Sequence, residues 1–172
     1  MPAALSALAE LQAGVLTTAQ LNQLSLGSFR RLRSDWRRLS RGLWCVTEPT
    51  WSSAAWAGLL RAGSDSALGG AAALHLLGLQ QSAPTIITVW LPSMSKPILV
   101  VRNWTVVFRR GERRKMGNPP RTNVEDTVLD STAELDEDSF VVGRGLFCGH
   151  RKSSAVRATN NPFSIVGRFV FS

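Results

Sequence analysis

Cysteine and histidine are scarce in this 172-residue chain, with two of each. Cys45 and Cys148 lie far apart without CxxC spacing, which excludes a zinc framework or a disulfide scaffold. Cys45 is read as a small core residue. His75 stands in an apolar stretch with no other ligand-type side chains around it, and is read as a packed or half-buried residue. No metal and no cofactor are therefore expected. No apolar run reaches the roughly 18 residues of a membrane span. Residues 1–12 lack the basic start and long apolar core of a signal peptide, so a cytoplasmic protein without membrane contact is expected. The chain has no G-x-S-x-G, no H-E-x-x-H and no nucleophile beside a histidine. Gly111 and Gly117 flank a basic loop, but the Lys-Ser/Thr ending of a Walker loop is missing. An enzyme is not expected, and no catalytic residue is assigned.

What the chain has in excess is positive charge. Its formal net charge is +8 and its pI is near 11.2, which points to a polyanionic partner, most simply nucleic acid. A hydrophobic content of 44% is that of a globular chain rather than a disordered one. The charge is concentrated: the stretch from Ser25 to Val46 holds Arg30, Arg31, Arg33, Arg37, Arg38 and Arg41 against the single acid Asp35. Leu26, Phe29 and Leu32 recur every three residues, which suits one buried helix face. Ser28, Arg30, Arg31 and Arg33 then face outward. After Asp35, a turn residue, Trp36 to Val46 reads as two short strands around a turn containing Gly42.

Two further helices precede this stretch. Pro2 to Gln12 places Leu5, Leu8 and Leu11 on one face and ends at Gly14. Thr17 and Gln20 offer a capping box for a second helix carrying Leu21 and Leu24. A capped helix, a short turn, a basic helix and a basic hairpin in succession make a winged helix-turn-helix over residues 1–47. A basic run taken singly is as well explained by a solvated face; the order of the elements favours DNA. Arg30 and Arg31 are the expected readers of base edges. Arg37, Arg38 and Arg41 on the wing are expected to meet phosphates.

The boundary is placed at Thr47–Thr50, and residues 50–140 are read as a small mixed α/β domain, giving an α+β chain overall. Thr50 or Ser52 caps a helix through Trp56, Leu59 and Leu60 that ends at Gly63. Ser66–Gly69 reads as a brief strand, Gly70–Leu77 as a buried helix, and Thr85–Leu91 as a strand. Ile98–Arg102 and Trp104–Arg109 are two more strands, and the preceding helices are expected to cover the sheet. Arg109, Arg110, Arg113, Arg114 and Lys115 form a second basic cluster on a solvated loop, with an auxiliary phosphate-contact role open to it. Arg121–Leu135 is expected to be a helix with Val124, Thr127, Val128, Ser131 and Leu135 inward. Its acids (Glu125, Asp126, Asp130, Glu134) and the Asp136–Asp138 run lack metal-ligand spacing. They suit a solvated face, an internal partner for the 109–115 cluster, or a surface for a basic protein. Residues 141–172 read as a divergent or truncated tail.

Three segments together resemble the AbiEi family of type IV antitoxins, in its actinobacterial branch. They are VLTTAQLNQLSLGSFRRLRSDWRRLSRGLWCV (Val15–Val46), WAGLLRAGSDSALGGAAALHLLGL (Trp56–Leu79) and PPRTNVEDTVLD (Pro119–Asp130). The resemblance implies a winged-helix domain that binds inverted repeats in the protein's own promoter and represses it. It also implies a second domain that counters a cognate nucleotidyltransferase toxin. Gly27 stands where relatives usually carry a serine-like cap, and the third helix is shorter than theirs by a residue or two. Relatives often continue into a nuclease-like domain; its spaced carboxylates are not seen here, and that activity is not carried over. Two other readings remain: a protein-interaction module without sequence-specific DNA binding, and a remnant of a nuclease-fused relative.

Overall fold

A computed structural model describes residues 2–23, 35–93 and 96–132. Its first helix, α1 (Ala3–Leu11), buries Leu5 and Ala9, while Leu11 is 61% exposed. The inward stripe therefore follows Leu5, Leu8 and Ala9 rather than ending on Leu11. The i, i+3, i+4 spacing holds a single face, whereas a strict three-residue repeat drifts off it. The chain leaves α1 through Ala13 and Gly14, both at positive φ, and the Gly14 amide donates to the Ala9 carbonyl at 2.7 Å.

Where the sequence reads as a plain connection, Val15–Thr17 forms a strand, β1. Helix α2 (Thr18–Gln23) follows, opened by the expected capping box. The Thr17 amide donates to Gln20 Oε1 at 2.8 Å, and the Gln20 amide donates to Thr17 Oγ1 at 3.1 Å. Strands β2 (Arg37–Ser40) and β3 (Leu43–Cys45) form the expected hairpin around Gly42, whose φ of +78° a side chain would strain. The three strands run antiparallel in the order β1-β3-β2, with a register shift between Arg38 and Ser40.

Helix α3 (Trp51–Ala62) starts on a full capping box, in which Thr50 accepts from the Ser53 amide and Ser53 from the Thr50 amide. Strand β4 (Ala67–Gly69) and helix α4 (Gly70–Leu76) come next. Strands β5 (Ile86–Leu91), β6 (Leu99–Val101) and β7 (Trp104–Arg110) then build the larger sheet. Two short strands, β8 (Lys115–Met116) and β9 (Arg121–Thr122), complete it in the order β6-β7-β5-β4-β9-β8. The sheet is mixed: β5 pairs parallel with β7 and β4 parallel with β9, while the other neighbours are antiparallel. Helices α3 and α4 pack on it, as the sequence implies.

The last described helix, α5, covers residues 124–132. The expected helix from Arg121 is shortened at its start, because Arg121 and Thr122 are drawn into the sheet through Leu68. Of its expected inward residues Thr127 is buried, whereas Val124 and Val128 are exposed and Asp130 is buried beside Thr127. Thr127 Oγ1 lies 2.7 Å from Thr122 Oγ1 and donates to the Asn123 carbonyl at 2.6 Å, so hydrogen bonds rather than apolar area orient this helix. Leu135 and the tail lie outside the described residues.

Two cores meet at the small sheet. Leu16 lies in a cluster with Leu5, Ala9 and Leu21, while its neighbour Val15 joins Leu43 and Cys45 in the main core beside Trp51, Ile87 and Val106. That is the alternation of a strand buried on both faces. The main core thus crosses the boundary drawn at residues 47–50. The Ser53 hydroxyl adds a crossing hydrogen bond, donating to the Ala13 carbonyl at 2.7 Å. Cys45 is fully buried, as expected. His75 is half-buried, with Nδ1 3.0 Å from the Gln80 carbonyl and its ring edge-on to Trp51.

Candidate nucleic-acid interface

Of the residues singled out in the sequence, Ser28, Arg30, Arg31 and Arg33 lie outside the described residues. Arg37, Arg38 and Arg41 all sit on the β2–β3 hairpin and are exposed. β2 is the edge of its sheet, which leaves its side chains room to reach a partner. Arg37 pairs with Glu48 at 3.4 Å, and Glu48 also accepts from Arg102 in the turn between β6 and β7. The Arg38 guanidinium lies 5.9 Å from the Trp44 ring centre, and its Nε donates to the Ser40 carbonyl at 3.4 Å. The turn itself is pinned to α2: the Thr18 amide donates to the Gly42 carbonyl at 2.9 Å, and Trp44 Nε1 donates to Thr18 Oγ1 at 3.4 Å. Arg41 makes no hydrogen bond or ion pair among the described residues.

The second basic cluster behaves differently along its length. Arg109 and Arg110 end β7, and Lys115 is the first residue of β8, so the run is not one solvated loop. Lys115 donates to the Ser64 carbonyl at 2.8 Å and pairs with Asp65 at 3.1 Å. Arg113 is committed inward. Its Nη2 donates to Asp130 Oδ1 at 2.9 Å and its Nε to Oδ2 at 3.4 Å, while the guanidinium covers the Trp90 ring at 4.1 Å from the centre. The hydrogen bond to Asp130 raises the Arg113 pKa above its ordinary value, against an opposing push from partial burial.

Glycines make room for this stack. A Cβ on Gly69 would come 2.4 Å from Trp90 Cδ1 and Nε1, and one on Gly111 would come 3.0 Å from Cε3 and Cζ3. Asp130 therefore serves as the internal partner that the acid region offers the 109–115 run, and Arg113 is withdrawn from the auxiliary phosphate contacts. Arg110 and Arg114 remain exposed, the latter on an open cleft of about 400 Å³ shared with Glu112, Asn123 and Asp126.

The hairpin and the 109–115 cluster are not brought together. Arg37 is tied through Glu48 to Arg102 in the turn that precedes β7, whereas Arg109 and Arg110 lie at the far end of that strand. At about 3.3 Å per residue the two sites are roughly 20 Å apart. The sequence gives no local sign of Arg61, in the last turn of α3, which lines a groove with Arg41. Among the described residues no cluster of histidine, cysteine and acidic side chains could hold a metal ion, and no helix is long and apolar enough to cross a membrane. The chain matches no known family model, no curated protein and no solved structure.

Proposed function

We propose that this chain is a DNA-binding, antitoxin-like transcriptional regulator of the cytoplasm, built on an N-terminal winged helix-turn-helix. It represses its own promoter at inverted repeats and counters a cognate nucleotidyltransferase toxin. The observation that carries the DNA-binding half is the element order α1-β1-α2-β2-β3 with strand order β1-β3-β2. A winged helix-turn-helix has a strand between its first two helices and pairs it with the return strand of the wing. Here the hairpin carries three exposed arginines, and residues 24–34, which the sequence reading takes as the arginine-rich third helix, lie outside the described residues. The antitoxin half rests on the family resemblance of Val15–Val46, Trp56–Leu79 and Pro119–Asp130. Function is argued from these residues and not from the fold alone.

The test is fluorescence anisotropy with the duplex upstream of the protein's own gene beside a scrambled duplex, across a salt series. A preference of about a hundredfold or more that survives near 150 mM salt supports the proposal. Equal, salt-sensitive binding to both duplexes overturns it. Arg30→Ala and Arg31→Ala are expected to cost roughly 1–3 kcal/mol on the correct operator only. Arg37→Ala, Arg38→Ala and Arg41→Ala should weaken both duplexes alike and flatten the salt slope by about 1 each. Identical behaviour of all five variants would sink the division between base readers and phosphate anchors. A protein-interaction role is the second reading, favoured by the exposed Val124, Val128 and Leu129 of α5.

A further inference from the structure

Resting on the DNA-binding reading, a second observation extends it beyond the winged helix. An open groove of about 450 Å³ lies between the hairpin turn, the start of α2 and the end of α3, and its lining includes Thr17, Thr18, Arg41, Gly42, Leu60 and Arg61. No carboxylate lines it. Arg37, Arg102, Arg113 and Lys115 are each paired with an acid, whereas neither Arg41 nor Arg61 has a hydrogen bond or ion pair among the described residues. Thr17 Oγ1 accepts from the Gln20 amide and Thr18 Oγ1 from Trp44 Nε1, which leaves each hydroxyl its own proton to donate. Two guanidinium groups and two hydroxyl donors without a competing acceptor suit an anion with several oxygens.

The walls are fixed. The turn is tied to α2 through Thr18 and Gly42, and α3 is locked by its capping box and by Ser53 to the loop after α1. We propose that Arg61 and Arg41 together grip one phosphodiester of duplex DNA in this groove, so that the segment after the wing contributes directly to the DNA contact. Continuity with the exposed arginines of the hairpin favours a backbone phosphate of bound DNA over a free anion. Arg61 is half-buried, so its stem is held while its head faces the groove.

The experiment measures anisotropy of the promoter duplex with wild type, Arg61→Gln, Arg61→Lys, Arg41→Gln and the Arg41→Gln/Arg61→Gln double variant across salt, with thermal unfolding of each as a folding control. Arg61→Gln is expected to bind roughly tenfold more weakly and to show a salt slope shallower by about 1. Arg61→Lys should keep most of the slope, and it holds the test should the glutamine variant fail to fold. The double variant should lose less than the product of the two single losses, because both arginines serve one phosphate. Inorganic phosphate at matched ionic strength should not displace the duplex; displacement would mark a small-anion site and overturn the proposal. If Arg41→Gln weakens binding while Arg61→Gln changes neither affinity nor slope, this inference fails and the DNA reading stands. If wild type shows no duplex preference and neither variant changes it, the DNA reading falls and takes the inference with it.

Discussion

Replacing Arg113 by alanine is expected to lower the free energy of unfolding by about 3 kcal/mol. Arg110→Ala and Arg114→Ala, at exposed positions of the same run, should each stay within about 0.5 kcal/mol of wild type. The difference lies in what each residue leaves behind. The Asp130 side chain is 6% exposed, and loss of Arg113 strands a buried carboxylate and uncovers the Trp90 ring. The figure falls short of the upper end for a broken buried pair because the Arg113 side chain is 28% exposed, so water can partly replace it. Replacing both partners, as Arg113→Met with Asp130→Leu, should recover much of the loss, because no charge then remains buried without a partner. The hydrogen bond to Asp130 raises the arginine's pKa, so its contribution is fully present below the unfolded-state value and is lost only above it. The destabilisation should therefore not fade between neutral pH and about pH 10. Urea unfolding followed by tryptophan fluorescence reads all of these. A cost for Arg113→Ala no larger than for Arg114→Ala would refute the ion pair as a structural element.

The Arg113–Asp130 pair also marks where the sequence stops being readable. Local features were legible: the Thr17–Gln20 capping box, a cap at Thr50 or Ser52 that the structure places on Thr50, the hairpin around Gly42, and the β-branched strand ending at Leu91. Features decided by a distant partner were not. Val15–Thr17 is too short to show a period of two, and it is a strand because Cys45, Trp44 and Leu43 lie beside it. Arg121 and Thr122 carry a helical-looking sequence into a strand because Leu68 pairs on one side and Lys115 and Met116 on the other. The spacing of α5 points Val124, Thr127 and Val128 inward, and of these only Thr127 is buried. Thr127 and Asp130 are buried because Thr122 and Arg113 offer them hydrogen bonds. In the candidate site, the hairpin that carries Arg37, Arg38 and Arg41 is legible from the local pattern, whereas Arg61 comes to line one groove with Arg41 only through the packing of α3 against the small sheet.

That packing leads to the other large expected effect. Ile87→Ala should cost about 3–4 kcal/mol, since the side chain is fully buried in the main core and the rigid strands around it cannot close the cavity. Against a total stability of roughly 5–15 kcal/mol this removes a large share. The informative part is where the loss appears. Val15, Leu43 and Cys45 of the small sheet share one core with Ile87, and the Ser53–Ala13 hydrogen bond spans the same junction. Native-state hydrogen exchange should therefore show the Thr18 and Val46 amides, bonded to Gly42 and Gly14, losing protection together with those of Thr105 and Gly111 beside β5. A hairpin held in this way presents its arginines at a fixed angle to α3, which a phosphate grip shared between Arg41 and Arg61 requires. If Thr18 and Val46 keep full protection while Thr105 and Gly111 lose it, the N-terminal unit folds on its own. The wing would then be free to move relative to Arg61, and a joint grip on one phosphate would lose its mechanical basis.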